Sequence, residues 1–406
     1  EIYRYYELLL AFRKNLSNDI VLKDRFFKRN EENEKFQKMF QEVQKISNLI
    51  STVRYLVEIT IINEIYGDSI INNDNLCEII SISHFLTDYS QKSDLIHSDL
   101  IPFNIKVNDS YNYEEFSSLG KYDHEQYSEK ELEFRLENVK NSIYREKEVS
   151  NVKTSQYLKT KYEELLQTAD STSKKHLGFS FSNLSRVFFI LTRISEYDYS
   201  RFPIKIFLLR ELISKIIEFY KKFYPVEDEK EIVKEIIQII DFITINLKSY
   251  EIDEIYLFSS RLKEKNRLAL CPLVRIDANK IIFGNEACLT SFALWQKYIS
   301  SGITPYTMNK KDPVSVILEE ISQLKAKEFE DICFQKAKDV LNEKYVLKNL
   351  KNLKNFQNIS KNLQKNPECG EIDLLAINTK NKKIFVLDMK AYYQKTRPSD
   401  IRNEIR

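Results

Sequence analysis

Residues 367–391 read PECGEIDLLAINTKNKKIFVLDMKA, and this stretch decides how the rest of the chain is understood. Two apolar runs, Glu371–Ile377 and Ile384–Lys390, flank the polar residues Asn378-Thr379-Lys380-Asn381-Lys382. β-Branched and leucine-rich runs around a polar connection predict a β-hairpin. On an extended strand, residues two apart share a face. Glu371 and Asp373 therefore sit together at the start of the first strand, and Asp388 and Lys390 together at the end of the second. Antiparallel pairing sets the beginning of one strand against the end of the other. Three carboxylates and one ammonium are predicted to meet at one spot.

Such a cluster is costly as mere packing, because crowded carboxylates repel and lose hydration unless a cation or a proton intervenes. All-oxygen donors suit a hard ion, Mg²⁺ first and Mn²⁺ second, which keeps waters and takes phosphate oxygens into its shell. A lysine beside it can orient the attacking water or offset charge building on phosphorus. These are the requirements of metal-assisted phosphodiester hydrolysis. A surface hairpin whose exposed ends are acidic is the plain structural alternative.

The same residues resemble the PD-(D/E)XK phosphodiesterases, the restriction-endonuclease-like superfamily. GEIDLLAI, a short loop and IFVLDMKA are similar to its core, in which an Asp opens one strand and an acid-x-Lys triplet ends the next. The resemblance assigns Asp373 and Asp388 as catalytic metal ligands and Lys390 as the catalytic lysine. It also implies a glutamate from a preceding helix. Lys327-Glu328-Phe329-Glu330 supplies one, with Glu330 preferred over Glu328. Glu371 fits the Gly-Glu-Ile-Asp form and joins the implied metal set. The similarity spans about residues 325–393. Ile372 replaces the proline of the family name, and Asp388 replaces the commoner glutamate. A further helix and strand are expected after the triplet, yet sixteen residues follow Lys390, so the domain reads as incomplete or completed from elsewhere. Fold-level analogy makes DNA the expected substrate, in restriction, repair or defence.

Between Glu343 and Glu368 no acidic residue occurs, while Lys344, Lys348, Lys351, Lys354, Lys361 and Lys365 recur among asparagines. The first four are candidate phosphate contacts, whose contribution should weaken with salt. A solvated lysine-rich loop accounts for them equally well. Elsewhere His84, His97, His124 and His176 show no metal spacing, and neither a G-x-x-x-x-G-K-[ST] loop nor a G-x-S-x-G elbow occurs.

Outward from this module the chain reads as helical. Its six glycines and eight prolines in 406 residues are too few for a many-turned β-sandwich. Residues 1–66 read as helix, with Phe36, Phe40, Val43, Ile46, Ile50, Val53, Val57 and Ile61 on one stripe. Residues 100–128 read as an exposed loop, and 128–168 as a long charged helix with an irregular heptad. Ser171–Gly178 reads as a polar break, followed by helices over 203–224 and 227–248. Strands at 268–276 and 280–283 precede a helix holding Trp295, and Pro313 opens another. The fold class expected is α+β. A helical region of unknown role (1–265) is followed by a hairpin-and-helix connector (266–312) and a nuclease-like α/β domain (313–406).

Sixty-two basic and 60 acidic residues leave the net charge at +2, which selects no partner. Five scattered cysteines without C-x-x-C spacing read as free thiols of a reducing compartment. No signal segment or membrane span is evident, so a cytoplasmic protein is expected. The leading expectation is a Mg²⁺-dependent nuclease acting on DNA. Its rivals are a non-catalytic nucleic-acid-binding or interaction protein with a degenerate nuclease fold, and an oligomeric scaffold built on the 128–168 helix; a homo-oligomer or protein partner is expected through the helical region.

Overall fold

The computed structural model describes residues 2–26, 33–62, 73–97, 103–107, 113–118, 156–196, 204–225, 228–245, 268–277, 279–305, 308–309, 311–340, 346–350, 372–378 and 382–387. Helices dominate, with three small sheets, so the class is α+β. No helix among the described residues is long and apolar enough to cross a membrane.

Three N-terminal helices, α1 (Ile2–Phe26), α2 (Asn33–Ile62) and α3 (Asn73–His97), pack in succession. The hairpin β1 (Phe103–Val107) and β2 (Tyr113–Ser118) follows. Next come α4 (Gln156–Leu177) and α5 (Phe181–Glu196), strand β3 (Ile204–Leu208), α6 (Leu209–Phe223) and α7 (Glu229–Phe242). Strands β4 (Thr244–Ile245), β5 (Leu273–Arg275) and β6 (Lys280–Gly284) lead to α8 (Asn285–Ser301). These strands form a mixed sheet in the order β3-β6-β5-β4, only β4 and β5 being parallel.

One core runs through this part of the chain. Phe188, Leu191, Leu212, Ile216, Ile239 and Phe283 are all fully buried in it. Helix α5 lies at its centre because Leu184, Val187, Phe188, Leu191 and Ile194 recur at helical spacing. Its start is fixed locally, since Ser180 Oγ accepts the Asn183 N–H at 3.1 Å. Trp295 of α8 is buried beside Phe242 and donates its indole N–H to Leu270 O at 3.0 Å. Gly302 then ends α8 in the left-handed region at φ 67°, with the N–H groups of Gly302 and Ile303 returning to Ile299 O and Tyr298 O.

Several sequence expectations change. Residues 103–107 and 113–118 pair as antiparallel strands where a loop is expected; Phe103, Ile105 and Val107 alternate through a serine- and asparagine-rich neighbourhood. The polar break at 171–178 shrinks to its last residue, because α4 runs on to Leu177 and ends at Gly178, φ 82°. Ser173 tolerates this burial by donating its hydroxyl to Phe179 O at 2.8 Å. Helix α5 was not anticipated. The helix expected from 203 begins at Leu209, since 204–208 pairs with β6 instead. The helix expected to reach 248 stops at Phe242, where Ile243 and β4 turn into the sheet. Within the 128–168 helix, residues 128–155 lie outside those described.

Candidate functional site

Helix α9 (Pro313–Val340) joins the main core to the C-terminal module. Its first turns bury Val314, Leu318 and Ile321 in the main core. Further along, Phe334 and Ala337 pack on a second, small core of Val346, Leu374 and Ala376. Those residues belong to an antiparallel sheet, β7 (Val346–Leu350), β8 (Ile372–Asn378) and β9 (Lys383–Leu387), in that order. The expected hairpin is therefore present, with Asn378 opposite Lys383 and Lys382 in the left-handed region at φ 50° closing the turn. Strand β7 is an addition: the basic segment after Lys344 starts as a strand paired to β8 and not as a loop.

The register fixes the faces. Leu374 pairs with Leu387, Leu375 with Val386 and Ala376 with Phe385. Leu374 and Ala376 are buried under α9. Strand alternation puts position 373 on the opposite face, shared with Leu375. Lys348 pairs with Leu374, so its position belongs to the α9 face. Glu330 lies one turn before Phe334 on α9 and is half-buried. Spacings of four and seven place it on the stripe that carries Phe334 and Ala337, which meets the sheet from the Leu374 side. Glu330 and position 373 thus stand on opposite sides of β8. Glu371, Asp388, Lys390, Lys344, Lys351 and Lys354 lie outside the described residues. Among the described residues no group of three His, Cys, Asp or Glu side chains is placed to hold a metal.

Other polar clusters had no sequence signal. The Glu7 carboxylate of α1 is fully buried and caps α8, accepting the backbone N–H groups of Glu286 and, at 3.0 Å, Ala287. Gly284 permits this approach: a Cβ there would stand 2.3 Å from the carboxylate. Lys14 closes the rim on Glu286 at 2.8 Å. Burial pushes the Glu7 carboxyl up to about 7, against the opposing pull of the two N–H donors and Lys14.

A second buried acid, Glu235 of α7, accepts from Asn183 Nδ2 at 2.7 Å and from the Ser180 N–H at 3.2 Å, with Lys174 Nζ 3.1 Å away. Hydrogen bonds to Glu231 and Glu235 raise the Lys174 ammonium above its ordinary value. Asn183 Oδ1 in turn accepts from Tyr220 at 2.6 Å and Arg186 at 3.0 Å, and the Arg186 guanidinium lies 4.9 Å from the Tyr224 ring centroid. This network ties α5, α6 and α7 together and is internally satisfied around Asn183.

Burial pushes the Cys271 thiol up to about 12 and raises Cys288 well above its usual range, so neither supplies a thiolate nucleophile. His84 on α3 and His176 on α4 are both exposed. No family model, curated protein or solved structure matches this chain.

Proposed function

We propose that the C-terminal module is a Mg²⁺-dependent nuclease that hydrolyses phosphodiester bonds of DNA, Mn²⁺ serving the same oxygen donors. The observation that carries this reading is the β8–β9 register. Leu374 faces Leu387, and the same register, if continued one residue beyond those described, would set Asp373 opposite Asp388. Two residues further it would set Glu371 opposite Lys390, on the same face. The PD-(D/E)XK resemblance assigns roles to the same residues. A helix followed by the paired strands β8 and β9 supports this reading, β7 standing between α9 and β8.

A bound divalent ion would supply Lewis acidity and a more acidic water. Asp373 and Asp388 would hold it, with Glu371 as a further donor, whereas Glu330 stands on the other side of β8. Lys390 would orient the attacking water and balance charge on the phosphorus as the bond to the leaving oxygen breaks. Lys344, Lys351 and Lys354 would hold flanking phosphates, whereas position 348 lies on the α9 face. Glu330 meets the Leu374 face and not that of position 373, so Glu330→Gln should cost less cutting than Asp373→Asn. Free buried thiols fit a reducing, cytoplasmic setting.

The test is plasmid cleavage in Mg²⁺ by the parent, Asp388→Ala and Lys390→Ala. Loss of cutting in folded variants supports the proposal. The opposed placement of Glu330 and position 373 favours a second reading, a nucleic-acid-binding module without catalysis. Salt-dependent DNA binding with no cutting by the parent, in Mg²⁺ or Mn²⁺, would establish that reading instead.

A further inference from the structure

Helix α3 carries two apolar strips. Ile80 and Ser83, buried, and Leu76, half-buried, form the strip that packs on α2. About 100° around the helix lies a second strip. Ile79 is 36% exposed, Ile82 54% and Leu86 43%, and position 89 of the same helix falls at the next step of this spacing. The spacing 79, 82, 86, 89 alternates three and four, the period of a two-helix seam. On an ordinary monomer surface apolar residues scatter singly. Here they follow the stripe that a partner helix reads.

The flanking charges identify the partner. With Ile79 and Leu86 at a positions and Ile82 and Tyr89 at d, the outer flank is Glu78, Phe85 and Lys92. An antiparallel copy of the same helix layers Ile79 on Tyr89 and Ile82 on Leu86. It then sets Glu78 of each chain beside Lys92 of the other, twice over by the two-fold axis, with Phe85 near its centre. A parallel copy would set Glu78 beside Ser83 and leave Lys92 without an acid. We propose that α3 is a homodimerisation helix, pairing antiparallel with α3 of a second copy through Ile79, Ile82, Leu86 and Tyr89. This is independent of the nuclease reading. A single helix pair buries less than the roughly 1,200 Å² of a standard stable interface, so the dimer is micromolar and reversible.

Sedimentation velocity of the whole chain across the micromolar range tests this. The expected result is a concentration-dependent shift from the 48.3 kDa chain to twice that mass. Ile82→Glu, at an exposed position, should loosen the dimer by about tenfold or more while leaving the far-UV spectrum intact. Glu78→Lys and Lys92→Glu should each loosen it, and the double exchange should restore the parent constant. A monomer at every concentration overturns the proposal, as does a dimer indifferent to Ile82→Glu. Failure of the double exchange to rescue overturns the antiparallel register.

Discussion

Replacing Glu7 by Gln should change how the stability of this protein depends on pH. The folded carboxyl titrates at about 7 against 4.5 for the free side chain, chiefly because it is buried. A folded-state value above the unfolded one means that the fold favours the protonated acid. The contribution is thus fully present below about pH 4.5, declines as the unfolded chain ionises, and is lost as pH rises through 7. The interval corresponds to about 3 kcal/mol between pH 4 and 8. Glutamine keeps an oxygen for the Ala287 N–H but cannot ionise, so its own offset is constant with pH. The single tryptophan offers the assay, since Trp295 is buried in α8, the helix that Glu7 caps. Urea unfolding of parent and Glu7→Gln, followed by Trp295 fluorescence from pH 4 to 8, should show the parent losing about 3 kcal/mol relative to the variant. Other groups titrate alike in both and cancel. A flat difference would refute the argument. A parent that gains stability with pH would mean that the α8 N-terminus holds Glu7 ionised, outweighing burial.

Gly302→Ala should destabilise by more than about 2 kcal/mol in denaturant titration, combining a left-handed residue with a clash. Its Cβ would lie 2.2 Å from Leu318 O on α9. Glu235→Ala should cost about 2–5 kcal/mol, because the Asn183 amide and Ser180 N–H lose their buried acceptor. Glu235→Gln should cost visibly less, and thermal melts of the two variants check the order. EDTA should abolish plasmid cutting while leaving the melting temperature within a few degrees, since the main core does not involve the proposed donors; Mg²⁺ should restore it.

What could be read in the chain depended on the range of the interaction. The β8–β9 hairpin was legible because period-two alternation and a polar turn are local, and their partners are neighbours in sequence. The capped pair β5–β6 was legible for the same reason, Asp277 accepting the Asn279 and Lys280 N–H groups at 2.7 Å. Helix α5 was hidden because its opening Ser180, Ser182 and Asn183 look like the continuation of a polar break. They are in fact its cap and its links to Asp170 and Glu235. Strand β3 was hidden inside one apolar run, IKIFLLRELI, with no glycine or proline at the strand–helix change. Only pairing with β6 sets that boundary. Glu371, Asp388 and Lys390 of the proposed site lie outside the described residues, so these assignments rest on the sequence pattern.

The sequence by itself determined that the chain is mostly helical, that a β-hairpin joins the runs on either side of 378–382, and which acids and lysine the proposed chemistry needs. Those conclusions rest on periodicity and residue type, which act over a few residues. The tertiary structure alone decided that Glu7 caps a helix 280 residues away and that Glu235 anchors α5 through Asn183. It also decided that Glu330 meets the β8 sheet from the side opposite to position 373. Burial of a charge and choice of a sheet face depend on what packs there from distant parts of the chain, and no local pattern encodes that.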